Sequence, residues 1–253
     1  MKIICIFNQK GGVGKTTTTV NLAAALGRNK KKVLACDLDP QGNTTSGLGI
    51  DKQDLDHSIY HLFIGQADFS TTVKQSSAEN VDILPSNSDL SGLEVELLHM
   101  NDKHTQLHKI LKAENLEYDY VIIDCPPSLG VLSINALVAA DSVLVPIQCE
   151  YYALEGVSQL VETISLIRNS LNPSLEIEGI LLCMFDGRNN LTLEVVEEVK
   201  KYFKNKVFKT VIPRNIRLAE APSYGLSILD YDKTSKGARS YEKLAKEIIR
   251  LNK

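Results

Sequence analysis

Ten residues near the start of the chain combine types and spacing suited to holding phosphate. They read Asn8-Gln9-Lys10-Gly11-Gly12-Val13-Gly14-Lys15-Thr16-Thr17. Gly11, Gly12 and Gly14 reach backbone angles closed to other residues, so successive N–H groups can turn inward around phosphate oxygens. A helix opening near Lys15 would add the positive end of its dipole. Lys15 is then placed to reach β- and γ-phosphates, and the Thr16 hydroxyl to ligate Mg2+. The pattern G-x-x-x-x-G-K-[ST] is met except at its first glycine, where Gln9 stands. A second lysine, Lys10, precedes the glycines. Its ammonium can fold back onto its own nucleotide or reach one held by a second subunit, and bare chemistry does not choose.

Carboxylates supply the rest of the chemistry. Asp124 follows Val121-Ile122-Ile123 and precedes Cys125-Pro126-Pro127. An acid at such a strand end can hold Mg2+ through a water. Asp37 and Asp39 close another apolar run, and one of the two is expected to face the γ-phosphate. Such a site hydrolyses slowly until a partner completes it, because water must be aligned and charge neutralised. Slow turnover suits a timer better than a metabolic enzyme. The loops at 39–50 and 126–133 are where ATP and ADP states should differ.

The elements that must position these groups follow from hydrophobic pattern. Strands are expected at Lys2–Phe7, Lys32–Leu38, Val81–Pro85, Tyr118–Asp124, Ser142–Gln148, Glu178–Met184 and Val207–Ile212. Runs such as Val121-Ile122-Ile123 and Val143-Leu144-Val145 lack in/out alternation, as in strands buried on both faces of a parallel sheet. Helices are expected at Thr16–Arg28 (Val20, Ala23, Ala24 and Gly27 at helical spacing) and at Leu154–Leu171 (Val157, Leu160, Val161, Ile164 and Ile167 on one face). Leu191–Phe203 places Leu191 and Val195 one turn apart, then Val199 and Tyr202/Phe203 further along, and Tyr241–Leu251 aligns Tyr241, Leu244, Ala245 and Ile248. This alternation predicts an α/β fold, a doubly wound, mostly parallel sheet flanked by helices, with residues 1–253 as one domain.

Composition sets the class. Of 253 residues, 43% are hydrophobic and 23% charged, which suits a globular chain with a sizeable core and excludes disorder. Apolar stretches break well short of the ~20 residues a membrane span needs. The first motif begins too early to leave room for a signal peptide. Five cysteines, at 5, 36, 125, 149 and 183, lie singly in apolar runs without metal or redox spacing, which points to a reducing, cytoplasmic setting. Net charge is −3, yet residues 187–253 hold 15 Lys+Arg against 8 Asp+Glu. That basic quarter is a candidate surface for an anionic partner, with Arg188, Arg217, Lys200, Lys204, Lys236, Arg239, Lys243, Lys246 and Arg250 as its carriers.

Lys10-Gly11-Gly12-Val13-Gly14-Lys15-Thr16-Thr17 resembles the deviant Walker A motif of the ParA/MinD superfamily of P-loop ATPases. Its signature lysine, here Lys10, contacts the partner subunit's phosphates in an ATP-sandwich dimer. Asp37-Leu38-Asp39-Pro40-Gln41-Gly42-Asn43 resembles switch I of the ParA/Soj branch, which implies that Asp39 positions the attacking water while Asp37 supports the metal's surroundings or the loop. Val121 to Pro127 is similar to the family's Walker B and switch II. Met184-Phe185-Asp186 and Ile212-Pro213-Arg214-Asn215 are similar to the stretches that close on adenine. The resemblance runs along nearly the whole chain. It implies catalytic roles for Lys10, Lys15 and Asp39, ATP held by residues 10–17 with Met184, Pro213, Arg214 and Asn215, and Mg2+ at Thr16 and Asp124. It further implies an ATP-dependent homodimer, DNA binding without sequence specificity and a nucleoid-associated location. A ParB-type DNA-binding partner is expected to stimulate hydrolysis, and no membrane attachment is expected. Arg188 and Arg217 match positions linked to DNA binding in the family. With only nine residues before Lys10, no helix-turn-helix segment is expected ahead of the loop. The rival readings are a membrane-cycling MinD-like ATPase, an ATP-dependent ligase of the same superfamily and an iron–sulfur ATPase. Against them stand the switch I sequence with the lack of a separate amphipathic anchor, the absence of a substrate-pocket insertion, and the unpaired cysteines.

Overall fold

The computed structural model describes residues 1–97, 100–113, 116–150 and 153–252, with the side chains at 94, 113, 153–158 and 191 outside that description. The strands are β1 (Lys2–Ile6), β2 (Val33–Asp37), β3 (Lys74–Gln75), β4 (Val81–Leu84), β5 (Tyr120–Asp124), β6 (Ser142–Gln148) and β7 (Glu176–Cys183). The first helices are α1 (Lys15–Arg28), α2 (Asn43–Gly47), α3 (Ile59–Phe63), α4 (Phe69–Thr72), α5 (Leu90–Leu97) and α6 (Gln106–Ala113). Then follow α7 (Val131–Ala139), α8 (Ala153–Ser170), α9 (Asn190–Phe203), α10 (Ile216–Glu220), α11 (Ile228–Tyr231) and α12 (Lys236–Leu251).

Among the described residues the strands form one sheet in the order β3-β4-β2-β5-β1-β6-β7. Every pairing is parallel except the short β3 against β4. The chain leaves β1 toward β2 and β4, returns to insert β5, then continues outward through β6 and β7. A ligand crevice belongs where such winding reverses, at the carboxyl ends of the central strands.

The apolar runs are buried on both faces, as their lack of alternation requires. Along β1 and the residue that follows it, Ile3, Cys5 and Phe7 join one core while Ile4 and Ile6 join the other. Leu107, Leu111, Leu132, Leu160, Ile164 and Val199 cover the first face. Val20, Leu22, Leu26, Tyr241, Leu244 and Ile248 cover the second, bringing α1 and α12 together there. The expected faces of α1, α8, α9 and α12 are therefore largely the buried ones, except that Tyr202 is exposed while Phe203 beside it is buried, and Val157 and Leu191 fall outside the described side chains. Gly27 lets α1 approach the chain before β4, since a Cβ there would lie 2.0 Å from the Glu79 carbonyl oxygen. All five cysteines are free and buried. No described helix is long and apolar enough to cross a membrane.

One expected strand is absent. Val207–Ile212 makes only isolated bridges, Ile180 with Val207 and Phe185 with Pro213. Its ends hold β7, with Phe208 N donating to Ile180 O and Ile212 N to Leu182 O. Between them, Lys209 N, Thr210 N and Thr210 Oγ1 donate to the Glu247 carboxylate on α12 instead of to a ladder. The segment 39–50, expected as a loop, contains α2.

Candidate active site

Sheet register assembles the site. Ile6, the last residue of β1, pairs with Asp124, and Asp124 pairs on its other side with Asp37. The start of the glycine loop and both carboxylates are thus level at one edge of the sheet. The loop then runs from Phe7 to Gly14 and enters α1 at Lys15. Gly12 (φ 74°) and Gly14 (φ 96°) take left-handed backbone, which favours glycine. A Cβ on Gly12 would meet nothing within 4 Å, so that position faces open space. Val13 turns its side chain into the core and can offer a ligand only its backbone.

The mouth of the loop is anchored. Asn8 donates from Nδ2 to Pro146 O (2.8 Å) and accepts from Lys10 N (3.0 Å). Gln9, in place of the usual glycine, donates from Nε2 to Thr163 Oγ1 on α8 (2.9 Å). Lys15 is only 7% exposed, and its Nζ donates to Lys10 O at 3.1 Å. Burial lowers the Lys15 pKa, an effect opposed by the nearby Asp124. Lys10 is exposed, and its ammonium has no partner among the described residues.

Hydroxyls surround the fully buried Asp124. Thr16 Oγ1 (2.8 Å) and Thr44 Oγ1 (2.7 Å) donate to Oδ2, and Thr19 Oγ1 (3.2 Å) donates to Oδ1. Asp37, also buried, accepts from Thr45 N (2.8 Å) and Thr45 Oγ1 (2.7 Å) on Oδ2 and from Asp39 N (3.1 Å) on Oδ1. Burial pushes both carboxyls above the ordinary range, and for Asp37 the charge of Asp124 adds to it. Asp39 is 9% exposed and lies with Gly12, Lys15, Thr16 and Asn43 around a pocket of about 260 Å³. Of the acid pair, Asp39 faces the loop and Asp37 faces α2. The donor set of one threonine hydroxyl and nearby carboxylates is hard oxygen, the chemistry that suits magnesium.

A second cleft, of about 340 Å³, shares Gly14, Thr17 and Met184 with the phosphate-side pocket. Pro213, Arg214 and Asn215 wall it, so the four residues expected near a base do converge beside the loop. Met184 turns there with a φ of 53°. Asn215 also caps α10, its Oδ1 accepting from Arg217 N at 2.9 Å. Tyr241 and Cys183 contribute to the lining, and the Tyr241 hydroxyl lies 3.2 Å from Thr18 Oγ1. Sequence reasoning placed Tyr241 in the core and missed its place in the cleft. It also missed Thr19, Thr44, Thr45 and Ser86. Tyr241 carried a signal, since it belongs to the apolar stripe of a helix, but the hydroxyl residues carried none.

The basic candidates divide into two groups. Arg188, 91% exposed at its side chain, is clasped by Asp186 through Nε (2.9 Å) and Nη2 (2.8 Å), which holds the Asp186 carboxyl down at about 2. Arg217 pairs with Glu220 (2.8 Å) and lies 4.0 Å from Asp232, and Lys200 pairs with Glu197 at 3.4 Å. Lys204 and the α12 residues Lys236, Arg239, Lys243, Lys246 and Arg250 are exposed with no acidic side-chain partner among the described residues. Steps of three and four put the α12 group in one stripe along the helix.

A mostly parallel sheet with a strand–glycine loop–helix unit at its switch point, a buried lysine opening the helix and acids on adjoining strand ends defines a P-loop nucleotide-binding protein. A family model described as an AAA domain matches residues 1–177. The chain is 56% identical over 247 residues to the sporulation initiation inhibitor protein Soj of Bacillus subtilis, covering 98% of each. It is 51% identical to the chromosome partitioning protein ParA of Myxococcus xanthus, covering 98% of this chain and 88% of that one. Among solved structures it is similar to cobyrinic acid a,c-diamide synthase from Mycobacterium smegmatis with bound ADP and magnesium. That match has 36% identity and a TM-score of 0.87 over 99% of this chain and 94% of that one. The chain belongs to the Soj/ParA family of chromosome-partitioning ATPases.

Proposed function

We propose that residues 1–253 form one ATPase domain that works as a partitioning switch: it binds ATP with Mg2+, dimerises, holds DNA without regard to sequence, and hydrolyses ATP slowly until a ParB-type partner stimulates it. Identity above 50% to Soj and ParA proteins supports this reading over the diamide-synthase activity named for the 36% identical structure. Loop residues 11–14 surround the phosphates with backbone N–H groups, and Lys15 supplies charge from inside. Thr16, and Asp124 through water, would hold the metal, which would supply positive charge to offset that of the phosphates. Asp39 orients the attacking water. Met184, Pro213, Arg214 and Asn215 enclose the base.

The observation that carries the dimer is Lys10. Its own loop is already served by Lys15, and its ammonium stands exposed with nothing to neutralise among the described residues. A second nucleotide presented by another copy completes it. For DNA, the α12 stripe and Lys204 are free to meet phosphates, whereas Arg188 and Arg217 must first leave acidic partners. Phosphate contacts of this kind give salt-dependent, sequence-independent affinity and a nucleoid-associated protein.

The test uses Asp39→Ala to block hydrolysis, unrelated DNA duplexes, and no nucleotide, ADP or ATP, with mass measured alongside. Salt-sensitive binding that appears only with ATP and accompanies a doubling of mass is expected. An ATP-bound dimer that ignores DNA at low salt would sink the partitioning reading, and affinity for liposomes instead would replace it with a membrane-cycling one.

A further inference from the structure

We propose that Thr44 is a positioning residue for ATP hydrolysis: its hydroxyl orients Asp124 for the metal and ties the Asp39 segment to that carboxylate. The inference rests on the ATPase reading above and goes beyond it to a residue outside the phosphate loop.

The argument starts from acceptor capacity. A carboxylate oxygen has two in-plane acceptor directions. Asp124 Oδ2 receives Thr16 at 2.8 Å and Thr44 at 2.7 Å, so both are taken. Oδ1 receives Thr19 at 3.2 Å, a hydroxyl that lies equally far from Lys15 O and so holds the carboxylate less firmly. Two of these hydroxyls come from α1 and hold the carboxylate from one element. Thr44 comes from α2 and fixes it from another, which prevents rotation about the Cβ–Cγ bond. The side chain of Asp124 is fully buried, so loss of the Thr44 hydroxyl leaves an acceptor direction of Oδ2 without its donor.

Thr44 also stands at the head of a continuous path to Asp39. The next residue, Thr45, donates to Asp37 and accepts Ser86 N at 2.9 Å, and Ser86 Oγ donates to Asp39 O at 2.9 Å. Asp39 is itself held to Asp37 through its N–H. This network makes 39–45 a braced segment, with Thr44 as its link to the acid beside Thr16.

The experiment compares the unaltered protein with Thr44→Val, Thr44→Ala and Thr44→Ser. A fluorescent ATP analogue reports binding in EDTA and along a Mg2+ titration, with kcat, KM and melting temperature measured in parallel. Binding in EDTA is expected to be the same in all four. For Val and Ala, half-saturating Mg2+ should rise about 10-fold and kcat should fall about 10-fold, the size of one charge-assisted hydrogen bond. KM at saturating Mg2+ should change little, and Ser should restore both quantities. A folded Val or Ala variant with an unshifted Mg2+ midpoint overturns the proposal, as does a Ser variant as impaired as Val. If Val does not fold, Ala decides it, and if neither folds, a wild-type Mg2+ midpoint in Ser supports it while a shifted one overturns it. Lack of any Mg2+-dependent nucleotide binding in the unaltered protein would instead overturn the ATPase reading, and this inference with it.

Discussion

Gly12→Ala offers a direct trial of the phosphate loop, because the fold contains its own control. Gly12 (φ 74°) and Gly65 (φ 70°) share the left-handed region, and a Cβ on either would meet no atom within 4 Å. Substitution therefore costs backbone strain without a clash, about 1–2 kcal/mol, less about 0.4–1 kcal/mol for the reduced freedom of the unfolded chain. The net of about 1 kcal/mol should lower the melting temperature of either variant by about 2–4 °C. The two differ in what the methyl faces. Gly65 lies beyond the end of α3, whereas Gly12 lines the pocket shared by Lys15, Thr16 and Asp39.

A ligand at about 100 times its Kd stabilises the native state by about 2.7 kcal/mol, or roughly 5–11 °C here. Thermal unfolding with and without a non-hydrolysable ATP analogue and Mg2+ should show that gain in the unaltered protein and in Gly65→Ala. Gly12→Ala should keep less than about a third of it, since its methyl occupies phosphate space and displaces the N–H groups. An equal gain in both variants would refute the assignment of 11–14 as the cradle.

Three further outcomes follow from the geometry. Asp39→Ala should bind Mg-ATP nearly as well as the unaltered protein yet release phosphate at least about 100-fold more slowly, the usual weight of a group that handles the attacking water; phosphate release and nucleotide binding read the two effects separately. Without metal, the melting temperature should fall as pH rises from about 5 to 8. Asp37 and Asp124 hold protons more tightly folded than unfolded, so stability is lost as pH climbs from the ordinary carboxylate range through their raised values. The lowered carboxyls of Asp119 and Asp186 act only below about pH 4, and His104, whose pKa burial lowers, acts in the opposite sense below its ordinary range, so Asp37→Asn isolates the carboxyl part by flattening the fall. Finally, Lys243→Glu with Lys246→Glu should weaken ATP-dependent DNA binding more than Arg188→Ala does. The double variant should also reduce the slope of log affinity against log salt by about 0.9 for each phosphate no longer neutralised; anisotropy across a salt series decides it.

Much of the fold is legible because its signals are local. The runs at β1, β2, β5 and β6 are continuous and apolar, and the glycine loop sits between a strand and a helix in ten consecutive residues. Val207–Ile212 has the same β-branched character yet fails as a strand, because Glu247 on a distant helix takes the N–H groups of Lys209 and Thr210. No window around those residues contains that carboxylate. The helices α5, α6 and α7 are not among those the sequence pattern predicts. Leu93, Leu107 and Leu132 pack on the same sheet face, a placement that tertiary contact determines.

For the site, residue type is readable and pairing is not. A count of charges makes residues 187–253 uniformly basic, and resemblance picks Arg188 and Arg217 from them. The structure separates cations already paired with Asp186, Glu220 and Glu197 from those that are not. An exposed pair of this kind contributes little to stability, but under the proposed DNA binding it is a local competitor that a phosphate would have to displace. The α12 stripe faces no such competitor among the described residues, and its spacing of 236, 239, 243, 246 and 250 is plain in the sequence. The same helix turns Tyr241 into the cleft wall, 3.2 Å from Thr18 and close along α1 to Thr16. One helix therefore carries, on one face, cations with no acidic partner among the described residues and, on the other, part of the nucleotide cleft, which makes α12, rather than the two arginines, the first place to test for a link between nucleotide and the proposed DNA binding.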